Sequence, residues 1–244
     1  MSNTAILIPA RMESTRLPQK LLLPLGNSTV IGQCLKRVKA AQTGCPIVLC
    51  TDSSLLAKEA EKLNIESVIT PKNFSSGSDR IAHVAAQRNE DFVLNVQGDE
   101  AFIEPSVIQR ILQVRKQSSA DIVSCMTRIE DQRNWSQPAV VKVVCTPNGR
   151  ALYFSRSPIP FSRGTNPQTH PVGYAHIGIY AYTRTALLRF AAFTPSPLEQ
   201  QEGLEQLRAL ENGMSIDMIE LKSESLSIDT RADYKCALKR AEKE

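Results

Sequence analysis

Two hydrophobic rhythms alternate along the first half of the chain. Residues 5–8, inside a candidate strand at 4–9, form a solid apolar run, the pattern of a strand buried on both faces. Val30, Ile31, Cys34, Leu35 and Val38 then fall three and four apart, which makes one stripe of an amphipathic helix, with Asn27 and Ser28 as candidate caps. The alternation continues with a strand at 46–51, a helix from Ser53 or Ser54 through Leu63, and a short strand at 65–69. The segment SSGSDR, 75–80, reads as a loop and cap leading into the helix IAHVAAQ. A strand at 92–96 ends in QGDE, and Pro105 opens a helix with Val107, Ile108, Ile111 and Leu112 on one face. A further strand lies at 122–125. Strands alternating with helices predict an α/β fold whose doubly wound, mostly parallel sheet collects its loops at one edge.

The second half changes character. Residues 139–144 and 151–154 flank Pro147-Asn148-Gly149, a hairpin signal. Residues 157–173 are rich in Pro, Gly and Ser and predict a long loop. A strand at 174–182, a helix from Thr183, a helix at 198–211 stopped by Asn212-Gly213, a strand at 216–219 and a closing helix at 231–244 complete the reading. The chain reads as a single domain, 1–244, with 139–173 as a smaller hairpin and loop lobe, and contains no internal repeat.

Composition narrows the function classes. With 42% hydrophobic and 22% charged residues in 244, a packed core is expected. The net charge of +4 comes without a Lys/Arg block, and aromatics are only 5%, which speaks against a nucleic-acid partner. No 18-residue apolar run is present, so no membrane span is expected. The N-terminal residues lack the pattern of a signal peptide. Six scattered cysteines without a CxxC suit free thiols in a reducing cytoplasm, and the three distant histidines form no local metal motif.

The candidate chemistry sits in the loops. Directly after the first strand, IPARMESTRLPQK carries Arg11, Arg16 and Lys20 with Ser14 and Thr15 between them. At the carboxyl edge of an α/β sheet, such a loop suits a polyphosphate, although it also suits a solvated basic surface. It is not a Walker loop, because it contains no glycine. Asp99, in VQGDE at a strand end, would face this loop and suits magnesium or, alternatively, a helix cap. Asp229, in SIDT, is a second metal candidate or an ordinary N-cap. His176, Tyr180 and Tyr182 alternate along a strand and share one face, as a ligand surface or as half-buried packing. Glu205 and Gln206 lie on an amphipathic helix, where Glu205 suits solvent as well as a site. Arg156 follows a buried-looking strand directly, as a ligand cation or a surface charge.

The segments IPARMESTRLPQK, SGSDRIA, VLNVQGDE, VVKVV, ALYFSRSPIPFSR, HIGIYAY, LEQQEGLEQLRAL and SIDT, in this order, resemble the 3-deoxy-manno-octulosonate cytidylyltransferase family. The resemblance spans nearly the whole chain and implies a nucleotide-diphospho-sugar transferase-like fold with a dimerisation lobe. It also implies transfer of CMP from CTP to the anomeric hydroxyl of an acidic eight-carbon sugar. By the same resemblance Arg11, Ser14 and Lys20 hold the triphosphate. Ser76, Gly77 and Arg80 line cytosine and ribose, and Asp99 and Asp229 bind Mg²⁺. Gln97, Arg156, His176, Tyr180, Glu205 and Gln206 hold the sugar acid, and the enzyme is a cytoplasmic homodimer. Metal activation of the sugar hydroxyl, with Arg11 and Lys20 on the departing pyrophosphate, is the mechanism this implies. The chain departs from the family pattern at Glu13, where glycine is usual, at Ala101 for proline, and at Arg231 and Ala232 for Pro-Glu, which puts the cap of the last helix in question. Another sugar nucleotidyltransferase, or a non-catalytic nucleotide-binding regulator on the same fold, are the competing readings.

Overall fold

The computed structural model describes residues 3–161, 163, 173–222 and 227–243, so most of the predicted 157–173 loop lies outside it. Strand β1 (Thr4–Ala10) is buried at all seven positions, as its unbroken apolar run requires. The chain then passes through a short 3-10 turn, Lys20–Leu22, and the two-residue ladder of β2 (Pro24–Leu25) with β3 (Ser28–Thr29) before helix α1 (Val30–Ala40). The cap of α1 is Thr29, whose hydroxyl accepts from the Gly32 N–H, and not Asn27 or Ser28. The β2–β3 pairing draws Ser28 into a strand and moves the cap to the next residue.

The predicted alternation follows, as β4 (Ile47–Thr51), α2 (Ser54–Glu61), β5 (Glu66–Ile69), α3 (Gly77–Ala85), β6 (Phe92–Asn95), α4 (Pro105–Gln117) and β7 (Ile122–Arg128). A short helix, α5 (Gln132–Ser136), precedes the hairpin of β8 (Lys142–Cys145) and β9 (Ala151–Ser155). The remainder is β10 (Tyr174–Thr183), α6 (Arg184–Ala192), α7 (Pro197–Glu202), α8 (Gln206–Glu211), β11 (Ile216–Leu221) and α9 (Arg231–Ala241). The one helix predicted over 198–211 is therefore two. Gly203 adopts φ +63°, and its N–H and that of Leu204 both bond to the Glu199 carbonyl, which ends α7. The apolar periodicity hides the break because Leu204 and Leu207 bury in the same core.

The strand order β11-β7-β10-β6-β1-β4-β5 carries β8 and β9 beside β10 in one nine-stranded sheet. β6, β1, β4 and β5 are parallel neighbours, as are β7 and β11. β10 runs antiparallel between these two blocks and also pairs with β8, so the hairpin is continuous with the main sheet. One apolar core packs α1, α2, α4 and α9 on one face, and a second packs α3, α6 and α8 on the other. Because β1 has β4 on one side and β6 on the other, the chain direction of the crossovers reverses at β1. A crevice opens there, outside the carboxyl ends of the strands.

Candidate active site

That crevice is where the first loop arrives. Arg11, Ser14, Arg16 and Lys20 line it from the β1 side, and Gln97, Asp99 and Asp229 from the other. Asp99 follows β6 through a turn closed by Glu100 N–H on the Gln97 carbonyl, 3.1 Å. Asp229 comes from the far end of the chain and is tied to it by Ile228 N–H on the Asp99 carbonyl, 3.3 Å. The Lys20 ammonium lies between the two carboxylates, 2.5 Å from Asp99 Oδ2 and 2.9 Å from Asp229 Oδ1. Arg16 reaches the other oxygen of Asp229 at 3.3 Å. Burial pushes the Lys20 pKa down, but the two carboxylates outweigh it and hold the ammonium above the ordinary lysine value. Burial likewise pushes Asp229 up, and Lys20 and Arg16 reverse it, leaving its pKa lowered. Arg11 is exposed and has no ion-pair partner among the described residues.

The helix-cap alternative is excluded for both aspartates. Asp99 caps no helix, since α4 begins at Glu104-Pro105. Asp229 is not the N-cap of α9 either. That role belongs to Thr230, in a capping box with Asp233, whose Oδ2 also accepts from the N–H of Asp229. The departures at Arg231 and Ala232 thus leave the cap intact. Glu13 is exposed at the crevice and does not adopt positive φ, so its backbone makes no demand for glycine. Ala101 is fully buried in the α1/α4 core.

The opposite wall is the N-terminus of α3. Ser76 caps it by accepting from the Asp79 N–H, 3.1 Å, and a side chain at Gly77 would press on Gln97 Oε1 and Pro9 Cγ, each 3.1 Å from a Cβ. Arg80 borders the crevice, yet it is 2% exposed and its guanidinium is engaged by Asp52 Oδ2 (3.1 Å), the Thr70 hydroxyl and the Pro71 carbonyl. Asp52 is a residue the sequence reading passed over. Its other oxygen accepts from the Met12 N–H at 3.0 Å, so one buried carboxylate joins the basic loop to α3. The signal was available, because Asp52 directly follows β4 at the same carboxyl edge.

Of the proposed sugar residues, Gln97 and Glu205 line the crevice, and His176, Tyr180, Gln206 and Arg156 do not. Glu205 is half-buried in the crevice wall rather than open to solvent, and burial pushes its pKa up. Behind it His176, Tyr180 and Tyr182 do share one face, in ring contact at 5.4 and 5.9 Å. Tyr180 OH reaches Gln206 Oε1 at 3.4 Å. Ser124 O–H donates to the Ile179 carbonyl (2.9 Å), which leaves its oxygen to accept from His176 Nε2 at 3.0 Å. Burial lowers the His176 pKa to about 3, so the imidazole is neutral. Arg156 spends three N–H groups on the carbonyls of Glu202, Gly203 and Pro138, and holds the α7–α8 junction that presents Glu205 and Gln206.

Cations facing paired carboxylates at the switch point of such a sheet define a nucleotidyltransferase, and residues 5–216 match the sequence model of the cytidylyltransferase family. The chain is 39% identical to the 3-deoxy-manno-octulosonate cytidylyltransferase of Elusimicrobium minutum over 98% of both chains. It is 41% identical to that of Bartonella henselae over 93% of this chain and 94% of the relative. The solved structure of CMP:2-keto-3-deoxy-manno-octonic acid synthetase complexed with CTP superposes over 100% of both chains, with a TM-score of 0.92 and 31% identity. The chain belongs to the 3-deoxy-manno-octulosonate cytidylyltransferase family, and is thus a nucleotidyltransferase. Within the described residues no helix is long and apolar enough to cross a membrane.

Proposed function

We propose that this chain transfers CMP from CTP to the anomeric hydroxyl of 3-deoxy-D-manno-octulosonate (Kdo), or a close analogue, for lipopolysaccharide core synthesis. The hydroxyl oxygen bonds to the α-phosphorus, the bond to the bridging oxygen breaks, pyrophosphate leaves and the hydroxyl proton is lost. The observation that carries this reading is the convergence of Arg11, Lys20, Asp99 and Asp229 on one crevice. Arg11, Ser14 and Lys20 bind the triphosphate and stabilise the departing pyrophosphate. Ser76 and Gly77, at the positive end of α3, face the ribose and base, while Arg80 holds that wall in place through Asp52.

Magnesium fits the two aspartates. Their oxygens already converge on a single cation, and magnesium takes few carboxylates when phosphates and water complete its shell. Bound there, magnesium offsets phosphate charge and lowers the pKa of the attacking hydroxyl. On the sugar side, Gln97 and Glu205 face the acceptor, and a carboxyl whose pKa is raised tolerates an acidic neighbour better than an ordinary one. His176, Tyr180 and Gln206 form the wall behind Glu205, and Arg156 serves the sugar side by holding the α7–α8 junction that presents Glu205. A homodimer working in the cytoplasm, where CTP is made, completes the proposal.

Mass spectrometry of the products from CTP, Kdo and magnesium tests it directly. CMP-Kdo and pyrophosphate are expected, and a faster reaction with another NTP or sugar in a substrate panel refutes the assignment. Asp99→Asn should cost on the order of 10²–10³ in rate with the fold intact. A near wild-type rate at limiting magnesium would remove Asp99 from the metal site.

A further inference from the structure

The Asp99–Asp229 pair is matched in charge by side chains of the chain itself. Lys20 bridges it at 2.5 and 2.9 Å, and Arg16 takes the remaining Asp229 oxygen at 3.3 Å, so two positive charges meet two negative ones. The two cations differ in setting. The Lys20 side chain is 11% exposed and enclosed, whereas Arg16 is 65% exposed. The carboxylates are also held by the protein alone. Asp229 is fixed through the Asp233 capping box and the bond from Ile228 N–H to the Asp99 carbonyl.

We propose that Lys20 is the resident cation of this pair, and that a divalent metal enters only as Lys20 leaves it for the phosphates of the nucleotide. This rests on the reading that Asp99 and Asp229 take the metal. The physical reason is exclusion. Magnesium needs these oxygens at about 2.0–2.1 Å, and an ammonium bonded to the same atoms would then sit within a few ångströms of a doubly charged ion. The lysine stem is long and flexible, so the ammonium can change partners while its backbone stays in the 3-10 turn. The triphosphate supplies those partners. Metal alone must expel Lys20 with nowhere to put its charge, whereas metal with nucleotide exchanges one set of ion pairs for another. Metal and nucleotide therefore bind with positive, reciprocal coupling.

The test is Mn²⁺ binding to the full-length protein, read by electron paramagnetic resonance, with and without a non-hydrolysable CTP analogue. Wild type should bind Mn²⁺ weakly alone and much more tightly with the analogue. Lys20→Met should tighten Mn²⁺ binding without nucleotide by about ten- to a hundred-fold, the scale of one charge-assisted hydrogen bond, and shrink the coupling. Lys20→Arg, which keeps a cation, should remain weak, and circular dichroism confirms the fold of each variant. Should Lys20→Met misfold, Lys20→Gln carries the same expectation. Unchanged or weaker binding in the neutral variant, or equally tight wild-type binding with and without the analogue, overturns the proposal. If Lys20→Met tightens binding but adding Asp99→Asn leaves that affinity untouched, the fault lies in the reading of the aspartates as the metal site.

Discussion

At the scale of single residues, the cations and carboxylates were legible because their positions follow from strand ends. Arg11 and Asp99 each come just after an apolar run, Lys20 lies in the loop that Arg11 opens, and all three meet at one sheet edge. Which atom each side chain touches was not legible. Arg80 and Arg156 read as ligand cations, yet both spend donors on protein carbonyls or carboxylates that local spacing does not reveal. Asp52 is the clearest case, since its value lies in joining Met12, 40 positions before it, to Arg80, 28 positions after it. Asp52→Ala should raise the KM for CTP by about ten-fold or more while the KM for the sugar stays constant, because the basic loop loses its anchor. The buried Arg80 also loses its ion-pair partner, a loss of about 3–5 kcal/mol, so kinetics belong well below the melting temperature. An equal rise in both KM values would contradict the anchoring role. His176 gives a pH dependence. Its imidazole protonates at its ordinary value of 6.5 when unfolded and only near 3 when folded, so the unfolded state binds the extra proton between those values. Stability is therefore full above pH 6.5 and falls as the pH drops, by up to about 2 kcal/mol at pH 5. Urea denaturation of His176→Asn should show a flatter profile over pH 5–7 than wild type, and parallel profiles would rule out this origin.

Among elements, the alternation in the first half predicts the structure well because β1, β4, β6 and β7 are buried along nearly their whole length, with only the edge strand β5 exposed, and each helix buries one face. The second half is harder, since hydrophobic period alone does not distinguish one helix from two that pack on the same core. Gly203 was the mark of that break, but a glycine in a helical pattern specifies no left-handed turn by itself. The break has a structural consequence. It ends α7, places Glu205 at the start of α8 facing the crevice, and offers the Gly203 carbonyl to Arg156. Gly203→Ala should destabilise the protein by about 1 kcal/mol or more through its positive φ. It should also weaken sugar binding in calorimetry while leaving CTP binding almost unchanged. Loss of CTP binding with retained sugar binding would mean that the α7–α8 junction serves the nucleotide instead.

For the whole molecule, the hairpin offers the surface the proposed dimer needs. Leu152 on β9 is 59% exposed and Phe161 just beyond it 88%, and β9 has only β8 as a ladder partner among the described residues. Wild type should scatter light as twice the 27.0 kDa chain, and Leu152→Asp combined with Phe161→Asp as one chain. A dimer that survives both changes would place the interface elsewhere. The sheet's other large-scale feature is β10, which lies between two parallel blocks and pairs with β6, β7 and β8. Synthesis runs in one direction, so β6 and β7 leave the ribosome some eighty and fifty residues before the strand that separates them in the finished sheet. Until residue 183 emerges, each presents an open edge, and the two are free to pair with each other or with a neighbouring chain. Nascent chains halted before β10 should thus be cut readily by protease and those halted well beyond it resist, which makes this interval the period when the growing polypeptide most needs a chaperone.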